Sequence, residues 1–300
     1  MSTFSDIADE VKTKLAGYTL NQDRMTYVKN STGITSTGTS IIVGSVDNYA
    51  KGIIEIEEEL ILIDTFDLPN TTLNAVPGFG RGFRGTTAVA HPVYAPIVIT
   101  PAFPRVTVKQ AINDVISGVF PKLFAVKTIV FPYSNVTATY ALPPDCKNVL
   151  GVSWRVIGPA KYWKPIKRYR VDNMAYLTEF GTGNTISIFD AVQNGVNIQV
   201  TYSAQPAPLS ANTDVFANVT GLPDSSKDVI VLGACSRMLA FVDAGRINVT
   251  SAESDLADSK IPTSAGMTLG KFVYALFQQR LAEEASRLIS TYSPAPHYIS

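Results

Sequence analysis

Four stretches of the chain carry apolar residues at helical spacing. The first begins at Ser5, and the second covers residues 106–120, between two prolines. The last two cover residues 228–242 and 268–291. Residues three and four positions apart share one face of an α-helix, so each stretch can bury an apolar face. We predict that these four helices form a common helical core.

The region 39–100 shows short apolar runs separated by turn residues, which is the pattern of β-strands. Ile53, Ile54 and Ile56 precede an acidic run at 57–59, and the run 60–63 is apolar again. Turn-forming residues follow at 67–70. Turn residues between two apolar runs favour a hairpin. We predict a β-hairpin module in this region.

A second β-rich region is predicted at 124–204. Its strands are expected at 124–131, 138–142, 149–157 and 185–204. Inside the last of these, Asn194 and Gly195 form the pair of residues that a type I′ turn prefers. After that pair, apolar residues alternate with polar ones, so we expect a hairpin with one buried and one solvated face.

These patterns predict an α+β fold, with a helical core and two β-rich insertions. The insertions are the hairpin module and a β-sandwich or barrel-like part. The polar stretch 21–38 is predicted to be a loop or arm rather than packed structure. The expected segments are an N-terminal helix and arm (1–38), the β-hairpin module (39–104), a core helix (105–123), a β-rich domain (124–224), a C-terminal helical hairpin (225–291) and an extended tail (292–300).

Composition narrows the class of protein. Formal net charge is zero and only 17% of the residues are charged. A strongly basic DNA-binding protein is therefore disfavoured, and neighbouring molecules are expected to cover much of the surface. No apolar run reaches the ~20 residues that span a bilayer, and the first residues lack the pattern of a signal peptide. We expect synthesis in the cytoplasm and no membrane contact.

The sequence offers no reaction centre. Cys146 and Cys235 lie far apart, and Cys235 sits in an apolar stretch where we expect a buried thiol. The two histidines, His91 and His297, lack the accompanying ligands of a zinc site. No Ser/His/Asp or Cys/His set is indicated. We predict no catalytic residue, no cofactor and no metal, and hence not an enzyme.

The segment 80–85 fits the G-x-G-x-x-G spacing of dinucleotide-binding loops. Such a site needs a strand before the glycines and a helix directly after them. Pro77 and Pro92 disfavour both elements. The glycines instead predict turns with positive φ. Arg81 and Arg84 then become candidate contact residues for acids on a neighbour or for phosphate.

The acidic run consists of Glu55, Glu57, Glu58 and Glu59. Consecutive residues of a strand point to opposite faces of a sheet, so these carboxylates are not expected to converge on one site. We interpret the run as a solvated hairpin tip or as a salt-bridging interface.

One stretch is both basic and aromatic. Its basic residues are Lys161, Lys164, Lys167, Arg168 and Arg170. Two interpretations remain open. The stretch is either a solvated strand and loop at the edge of the sandwich, or an interaction surface that contacts phosphate without reading sequence.

The region 52–98 also carries a family resemblance. Its glutamate-rich strand, hairpin, Arg81-Gly82, Gly85-Thr86-Thr87-Ala88 and His91 resemble a module of tailed-bacteriophage neck and tail proteins. With the helix at 106–120, the β-rich middle and the paired C-terminal helices, most of the chain resembles a phage head-to-tail adaptor. One departure is Pro92-Val93-Tyr94-Ala95, where such loops usually carry a glycine.

The resemblance implies a structural virion protein in the phage neck, made in the host cytoplasm. It would form a ring, of twelve copies by analogy, that joins the portal to downstream neck or tail proteins around the DNA channel. Passing DNA would be touched only non-specifically. The alternatives are another tail component (stopper, tail tube or baseplate) and a carbohydrate-binding β-sandwich with Trp154, Tyr162, Trp163 and Tyr169 as its platform.

The resemblance also suggests contact residues. Candidates for an inter-subunit loop are Arg81, Arg84, Thr86 and His91. Candidates for docking on the portal or a neighbour are Tyr292, Pro294, Pro296, Tyr298 and Ile299. The basic stretch is a candidate lining of the DNA channel.

Overall fold

The computed structural model describes residues 1–19, 23–45, 51–137, 139–158, 162–250 and 265–292. The chain divides into two units. The barrel unit comprises Ser5–Asp114 and Val231–Ala275, and the sandwich unit comprises Met1–Phe4, Val115–Ile230 and Leu276–Ser300. Five α-helices and thirteen strands lie in these described residues, which confirms the predicted α+β class.

The helices are α1 Phe4–Thr19, α2 Arg105–Gly118, α3 Phe216–Thr220, α4 Lys227–Thr250 and α5 Ala265–Thr291. The barrel unit holds β1 Arg24–Tyr27, β2 Ser40–Ile42, β3 Gly52–Ile56, β4 Glu59–Asp67, β5 Thr72–Ala75 and β6 Pro96–Ile99. The sandwich unit holds β7 Ala125–Pro132, β8 Thr139–Ala141, β9 Asn148–Arg155, β10 Trp163–Pro165, β11 Tyr169–Asp172, β12 Thr185–Ile188 and β13 Asn197–Ala204. The four predicted helices correspond to α1, α2, α4 and α5. Within the described ranges, none of the helices has the length and apolarity needed to cross a membrane.

Strands β1–β6 form one antiparallel sheet that closes on itself. The strand order is β1-β6-β3-β4-β5-β2, so β1 and β2 are the two edges. These edges meet just past the strands, where Val28 bridges Val43 and the N–H of Lys29 donates to the carbonyl of Ile42 at 2.7 Å. The predicted turn at 67–70 connects β4 to its partner β5, so the hairpin prediction is confirmed.

Aliphatic side chains fill the interior of this barrel. Four strands each contribute two buried residues that lie two positions apart, because successive strand residues point to opposite faces. These residues are Ile54, Ile56, Ile61, Ile63, Leu73, Ala75, Ile97 and Ile99, and they pack with Val28, Ile34, Ile41, Val43 and Ala95. This interior is therefore a packed core.

Helical segments complete the barrel unit. The predicted apolar face of α1, with Ile7, Val11 and Leu15, is fully buried. Helix α4 approaches α1 closely, since the Sγ of Cys235 lies 4.0 Å from the carbonyl oxygen of Val11. Cys235 is buried as predicted, and this burial raises its pKa to about 12. It is therefore an inert apolar side chain.

The sandwich unit contains two sheets around one core. One sheet has the order β10-β9-β13-β7 and the other β11-β12-β8. Ile186 and Ile188 of the second sheet share a core with Val152, Ile198 and Val200 of the first. The second β-rich region is thus a β-sandwich. Burial alternates along β13 from Asn197 to Tyr202, as the sequence predicts for a strand with one buried face, and the last three residues of the strand are all buried.

Ion pairs join α4 and α5 within the sandwich unit. Arg280 Nε donates to Asp228 at 2.8 Å. The buried carboxylate of Glu284 accepts from Ser225 Oγ at 2.8 Å and from Arg287 at 3.0 Å. These groups all donate to the Glu284 carboxylate, which offsets the cost of burying it.

Two sequence predictions are wrong in detail. The polar stretch 21–38 is not an unpacked arm, because it contains β1 and places Val28 and Ile34 in the barrel core. The barrel core, rather than local composition, orders this segment. Asn194 and Gly195 do form a turn, but they do not close a type I′ hairpin. Only Gly195 has positive φ, and β13 pairs with β7 and β9 instead of with β12.

Candidate interaction surfaces

The acidic run forms the tight turn between β3 and β4 in the barrel unit. Ile56 pairs with Glu59 across the hairpin, which leaves Glu57 and Glu58 as the two turn residues. Glu57 adopts φ +54° there. The carboxylates of Glu57 and Glu59 both approach the ring of His91, whereas those of Glu55 and Glu58 approach α1 and α2.

The carboxylate of Glu59 is completely buried and is held by five hydrogen bonds. Arg81 donates from Nε at 2.7 Å and from Nη2 at 2.8 Å. The backbone N–H groups of Gly82 and Val89 donate at 2.9 and 3.1 Å, and His91 Nε2 lies at 2.9 Å. Burial raises the pKa of this carboxyl, but the hydrogen bonds outweigh it and lower the pKa from 4.5 to about 2. Glu59 is therefore a charged anchor for the whole loop 81–91.

Arg81 connects this anchor to two further segments. Its Nη1 donates to the carbonyls of Thr35 and Gly38, both at 2.6 Å, and its Nη2 donates to the carbonyl of Val89 at 2.6 Å. The planar guanidinium can satisfy several acceptors at once because its donors are fixed in one plane. Arg81 thus holds the arginine loop against the segment 35–38.

His91 is equally internal. Its ring is fully buried, with Nδ1 3.1 Å from Glu57 Oε2 and Nε2 2.9 Å from Glu59 Oε2. Its backbone exchanges two hydrogen bonds of 2.8 Å with Ile34. At Gly33, which has φ +76°, an added Cβ would lie 2.3 Å from the carbonyl oxygen of His91. Only glycine fits this approach.

Three of the four predicted inter-subunit residues therefore make side-chain hydrogen bonds within the subunit. Arg81 and His91 bind Glu59, and Thr86 Oγ1 accepts from the N–H of Leu60 at 3.1 Å. The expectation that Arg81 is an exposed contact residue is wrong, because only 8% of its side chain is accessible. A contact role between subunits stays a prediction for the loop that these residues shape.

Arg84 is the exposed arginine of this loop. It adopts φ +55° between Gly82 and Gly85, whose φ angles of +62° and +79° agree with the predicted turns. Its guanidinium lies 5.7 Å from the ring centroid of Phe83. Only a short 3₁₀ turn follows the first glycines, so the loop lacks the helix that a dinucleotide site requires.

Glu55 and Glu58 bind helices instead of the loop. Glu55 is buried, receives Lys12 Nζ of α1 at 3.1 Å and accepts the backbone N–H of Arg105 at the start of α2. Lys109 of α2 pairs with Glu58. The interpretation of a solvated hairpin tip is wrong for Glu55 and Glu59. These glutamates do form salt bridges, as the other interpretation predicts, but the bridges lie within one subunit.

Arg105 adds a second link between α1 and α2. Its guanidinium pairs with Asp9 and donates to Ser5 Oγ at 2.8 Å. The hydrogen bond to Asp9 is the main reason that the pKa of Arg105 is raised. The acidic hairpin thus holds the arginine loop on one side and two helices on the other.

The basic stretch lies in β10, β11 and the segment between them. Lys164, Lys167, Arg168 and Arg170 are all exposed, whereas Lys161 lies outside the described residues. Buried Ile166 and Tyr169 anchor the segment to the sandwich core. The proposed carbohydrate platform is therefore incomplete, because Tyr169 faces the core.

The segment is ordered by backbone contacts. Asp190 accepts the N–H groups of Lys167 at 2.9 Å and of Arg168 at 3.3 Å. Lys164 Nζ lies 5.9 Å from the ring centroid of Trp154. The segment therefore presents its cations from a fixed backbone.

The tail candidates fall mostly beyond the described residues. Tyr292 is exposed, and its N–H donates to the carbonyl of Leu288 in α5 at 2.9 Å. Pro294, Pro296, Tyr298 and Ile299 lie outside the described ranges.

A surface that sequence reasoning missed is the loop between β11 and β12. Met174, Tyr176 and Leu177 expose most of their side chains there. The signal was present, since these apolar residues lie among turn formers and lack the spacing of a strand or helix.

No group of three or more His, Cys, Asp or Glu side chains in the described part of the chain is placed to hold a metal ion. The molecule is thus a barrel and a sandwich whose ordered loops present exposed cations and apolar side chains, as expected of a structural assembly protein. Residues 89–291 match the SU10 adaptor protein family. This match spans about two thirds of the 300 residues, so the chain belongs to the SU10 adaptor protein family and is a phage adaptor structural protein. No curated protein matches the sequence.

Proposed function

We propose that this chain forms a ring in the phage neck that joins the portal to the next neck or tail component around the DNA channel. The observation that carries the proposal is the family match over residues 89–291, which includes α2, the sandwich and the last two helices. Repetition of one heterologous contact around an axis closes a ring, and each individual contact can then be modest. Twelve copies would match a twelvefold portal.

Arg84 is the proposed inter-subunit residue of the barrel unit. Its side chain is exposed, and the described residues offer it no hydrogen bond or ion pair. The buried Arg81–Glu59 pair fixes the loop beneath it, so Arg84 is presented at low conformational cost. An acidic group on the neighbouring copy is its proposed partner.

The basic stretch is the proposed contact with passing DNA. Lys164, Lys167, Arg168 and Arg170 project from a fixed backbone without an acidic side chain as partner in the described part of the chain. Such cations bind phosphates without reading bases, which suits DNA that must slide past. Replacing the four residues with alanine should reduce binding to any duplex and flatten its salt dependence, as measured by fluorescence anisotropy.

The tail is the proposed anchor on the portal or on an adjacent copy. Tyr292, Tyr298 and Ile299 supply apolar side chains, and Pro294 and Pro296 favour an extended backbone. Deleting residues 293–300 should spare the fold, because α5 ends at Thr291, before the deleted segment. The same deletion should sharply weaken binding to the portal. Unchanged portal binding by the truncated chain would reject this anchor.

The decisive experiment is electron microscopy of the purified chain mixed with the portal protein of the same phage. We expect closed rings on the portal, and monomers or weak oligomers when the chain is alone, as measured by light scattering. A tight dodecamer without portal would contradict assembly on a template. A permanent dimer would contradict the adaptor role. Binding only to an already completed neck would favour a stopper, tail-tube or baseplate protein.

A further inference from the structure

Strand β7 is an edge of the sandwich, and its outer side has no partner strand in the described part of the chain. The sheet has the order β10-β9-β13-β7, so β7 pairs only with β13. The same ladder continues past the strand, where the N–H of Tyr133 donates to the carbonyl of Val196 at 2.8 Å. Residues of an antiparallel strand bond to alternate sides, so the odd-numbered residues of β7 bond to β13. The backbone groups that point outwards are those of Val126, Thr128 and Val130.

The other three edges of the two sheets in the described sandwich unit are each protected. Natural sheets protect their edges with short strands, proline or charged side chains. Strands β8 and β10 have only three residues each, and Pro165 ends β10. Strand β11 has four residues, of which Arg170 and Asp172 are exposed charges. In contrast, β7 has eight residues, and its one charged side chain, Lys127, is bound to Asp145 at 2.7 Å.

The side chains along β7 leave this edge of the core incompletely covered. Ile129 and Phe131 belong to the inner face and pack on the sandwich core, yet both are only half-buried. Val130, on the outer face, exposes 49% of its side chain. A further strand along β7 would cover these side chains and supply partners for the outward backbone groups. The edge therefore suits an extended peptide that joins the sheet.

The tail carries the complementary pattern in its sequence. Pro294 and Pro296 stand two positions apart. In an extended strand such positions face the same side, so both missing N–H groups would lie on one side. The other side keeps every N–H, from Ala295, His297 and Ile299. Residues 293–300 contain no Asp, Glu, Lys or Arg, which suits an edge with little charge.

We propose that the tail of one chain adds an antiparallel strand to the outer edge of β7 in the next copy of the ring. This inference rests on the proposed ring, and it assigns the tail to a neighbouring copy instead of to the portal. His297 lies opposite Thr128, because in this antiparallel register three N–H groups of each strand find carbonyl partners on the other. The two tail prolines then lie beside Phe131 and Ile129 and cover them.

A contact between tail and edge is heterologous, because its two surfaces differ. Repeated around an axis, such a contact closes a ring, whereas pairing of two β7 edges would stop at a two-fold dimer. The tail prolines face away from β7 and lack the N–H groups that another strand would need, so the addition ends after one strand. The tail strengthens portal binding indirectly, because it ties neighbouring copies together.

The first test changes the edge without changing the ladder to β13. Val130→Pro removes an outward N–H, whereas Val130→Thr, the matched control, keeps that N–H and the β-branched shape. We expect association of full-length chains on purified portal, followed by sedimentation, to be about tenfold weaker for the proline variant and unchanged for the control. His297→Pro, with His297→Ala as its control, makes the same change in the tail, beyond the end of α5, where folding is not at risk.

A disulfide reports the pairing directly. The single variants Thr128→Cys and His297→Cys, one of them tagged, are mixed with portal and oxidised. Opposite residues of a bonded pair lie about 5.5 Å apart at Cα, within reach of a disulfide. Cys146 and Cys235 are buried, and burial raises their pKa values to about 11 and about 12, so they stay unreactive. We expect linked pairs of chains, and none when Val136→Cys, at a 95% exposed position outside β7, replaces Thr128→Cys.

Each outcome decides between the proposals. Rings that form on the portal without the disulfide, or equally well with Val130→Pro, would overturn the contact between tail and edge and leave the adaptor function standing. A double variant that cross-links within one chain, with no link between the two single variants, would place the tail on its own β7 and also overturn the contact. A wild-type chain that forms no ring on the portal would overturn both proposals.

Discussion

Arg81 and Glu59 form a bidentate ion pair inside the barrel unit, with donor–acceptor distances of 2.7 and 2.8 Å. Glu59 has no accessible surface, and the pair links the hairpin of β3 and β4 to the arginine loop. The exposed Arg84 is therefore carried by a loop whose position depends on a buried charge. Stability and assembly can be separated at these two arginines.

Arg81→Ala should strongly destabilise the protein. The substitution leaves the Glu59 carboxylate buried without its main cation, and such a change typically costs about 3–5 kcal/mol of unfolding free energy. Urea unfolding followed by circular dichroism measures it. A variant as stable as the wild type would show that the pair contributes nothing to the fold.

Arg84→Asn should leave the protein stable but weaken its assembly. Asparagine tolerates the left-handed backbone of φ +55° better than arginine, so the unfolding free energy should stay equal or rise by up to about 1 kcal/mol. Ring formation on the portal should nevertheless weaken, because the exposed cation is gone. Sedimentation of portal mixtures measures this. Normal assembly by the variant would reject Arg84 as a contact residue.

The low pKa of Glu59 predicts acid sensitivity. Its folded pKa of about 2 lies below the ordinary 4.5, so its contribution is complete above pH 4.5 and is lost as the pH falls towards 2. The shift corresponds to about 3 kcal/mol. Unfolding free energies at pH 7, 4 and 3 should therefore decline more steeply in the wild type than in Glu59→Gln. Parallel declines in both proteins would contradict this assignment.

Gly80→Ala should damage the barrel for a steric reason. An added Cβ would lie 2.4 Å from the nitrogen and 2.6 Å from the carbonyl oxygen of Val76. The N–H of Gly80 donates to the carbonyl of Val76, and its carbonyl accepts from the N–H of Leu62 in β4. Backbone cannot move aside cheaply, so we expect a loss of at least about 2 kcal/mol. Gly151→Ala is the control, because nothing lies within 4 Å of its added Cβ. Equal melting temperatures for the two variants would contradict this expectation.

The sequence predicted the elements better than the contacts. Helix α2 and strands β7, β8, β9, β12 and β13 lie where local periodicity predicts them, whereas β10 and β11 were not predicted. The turn at Glu57 and Glu58 agrees with the predicted hairpin tip, but the partners of these two carboxylates do not follow from local pattern. Lys109 pairs with Glu58 and His91 Nδ1 lies 3.1 Å from Glu57, and both partners lie more than thirty positions away in the chain.

Strand β1 is a second element that the local sequence pattern did not predict. Its surroundings are polar and rich in turn formers, yet pairing with β6 and closure against β2 make it a strand. Tertiary pairing outweighs weak local preference in such segments. The sequence indicated both arginines as contact residues, but it could not show which of them is exposed. Arg81 is buried against Glu59, whereas Arg84 is exposed.

The contact between Val28 and Val43 covers two strand edges that an open six-stranded sheet would expose. An exposed edge acts as a template on which another chain can add a strand, and repeated addition leads to fibres. In the barrel, the backbone groups at these edges pair with each other within one chain, so they do not need a second molecule as a partner. Many newly made copies can therefore accumulate side by side without this sheet recruiting them into aggregates.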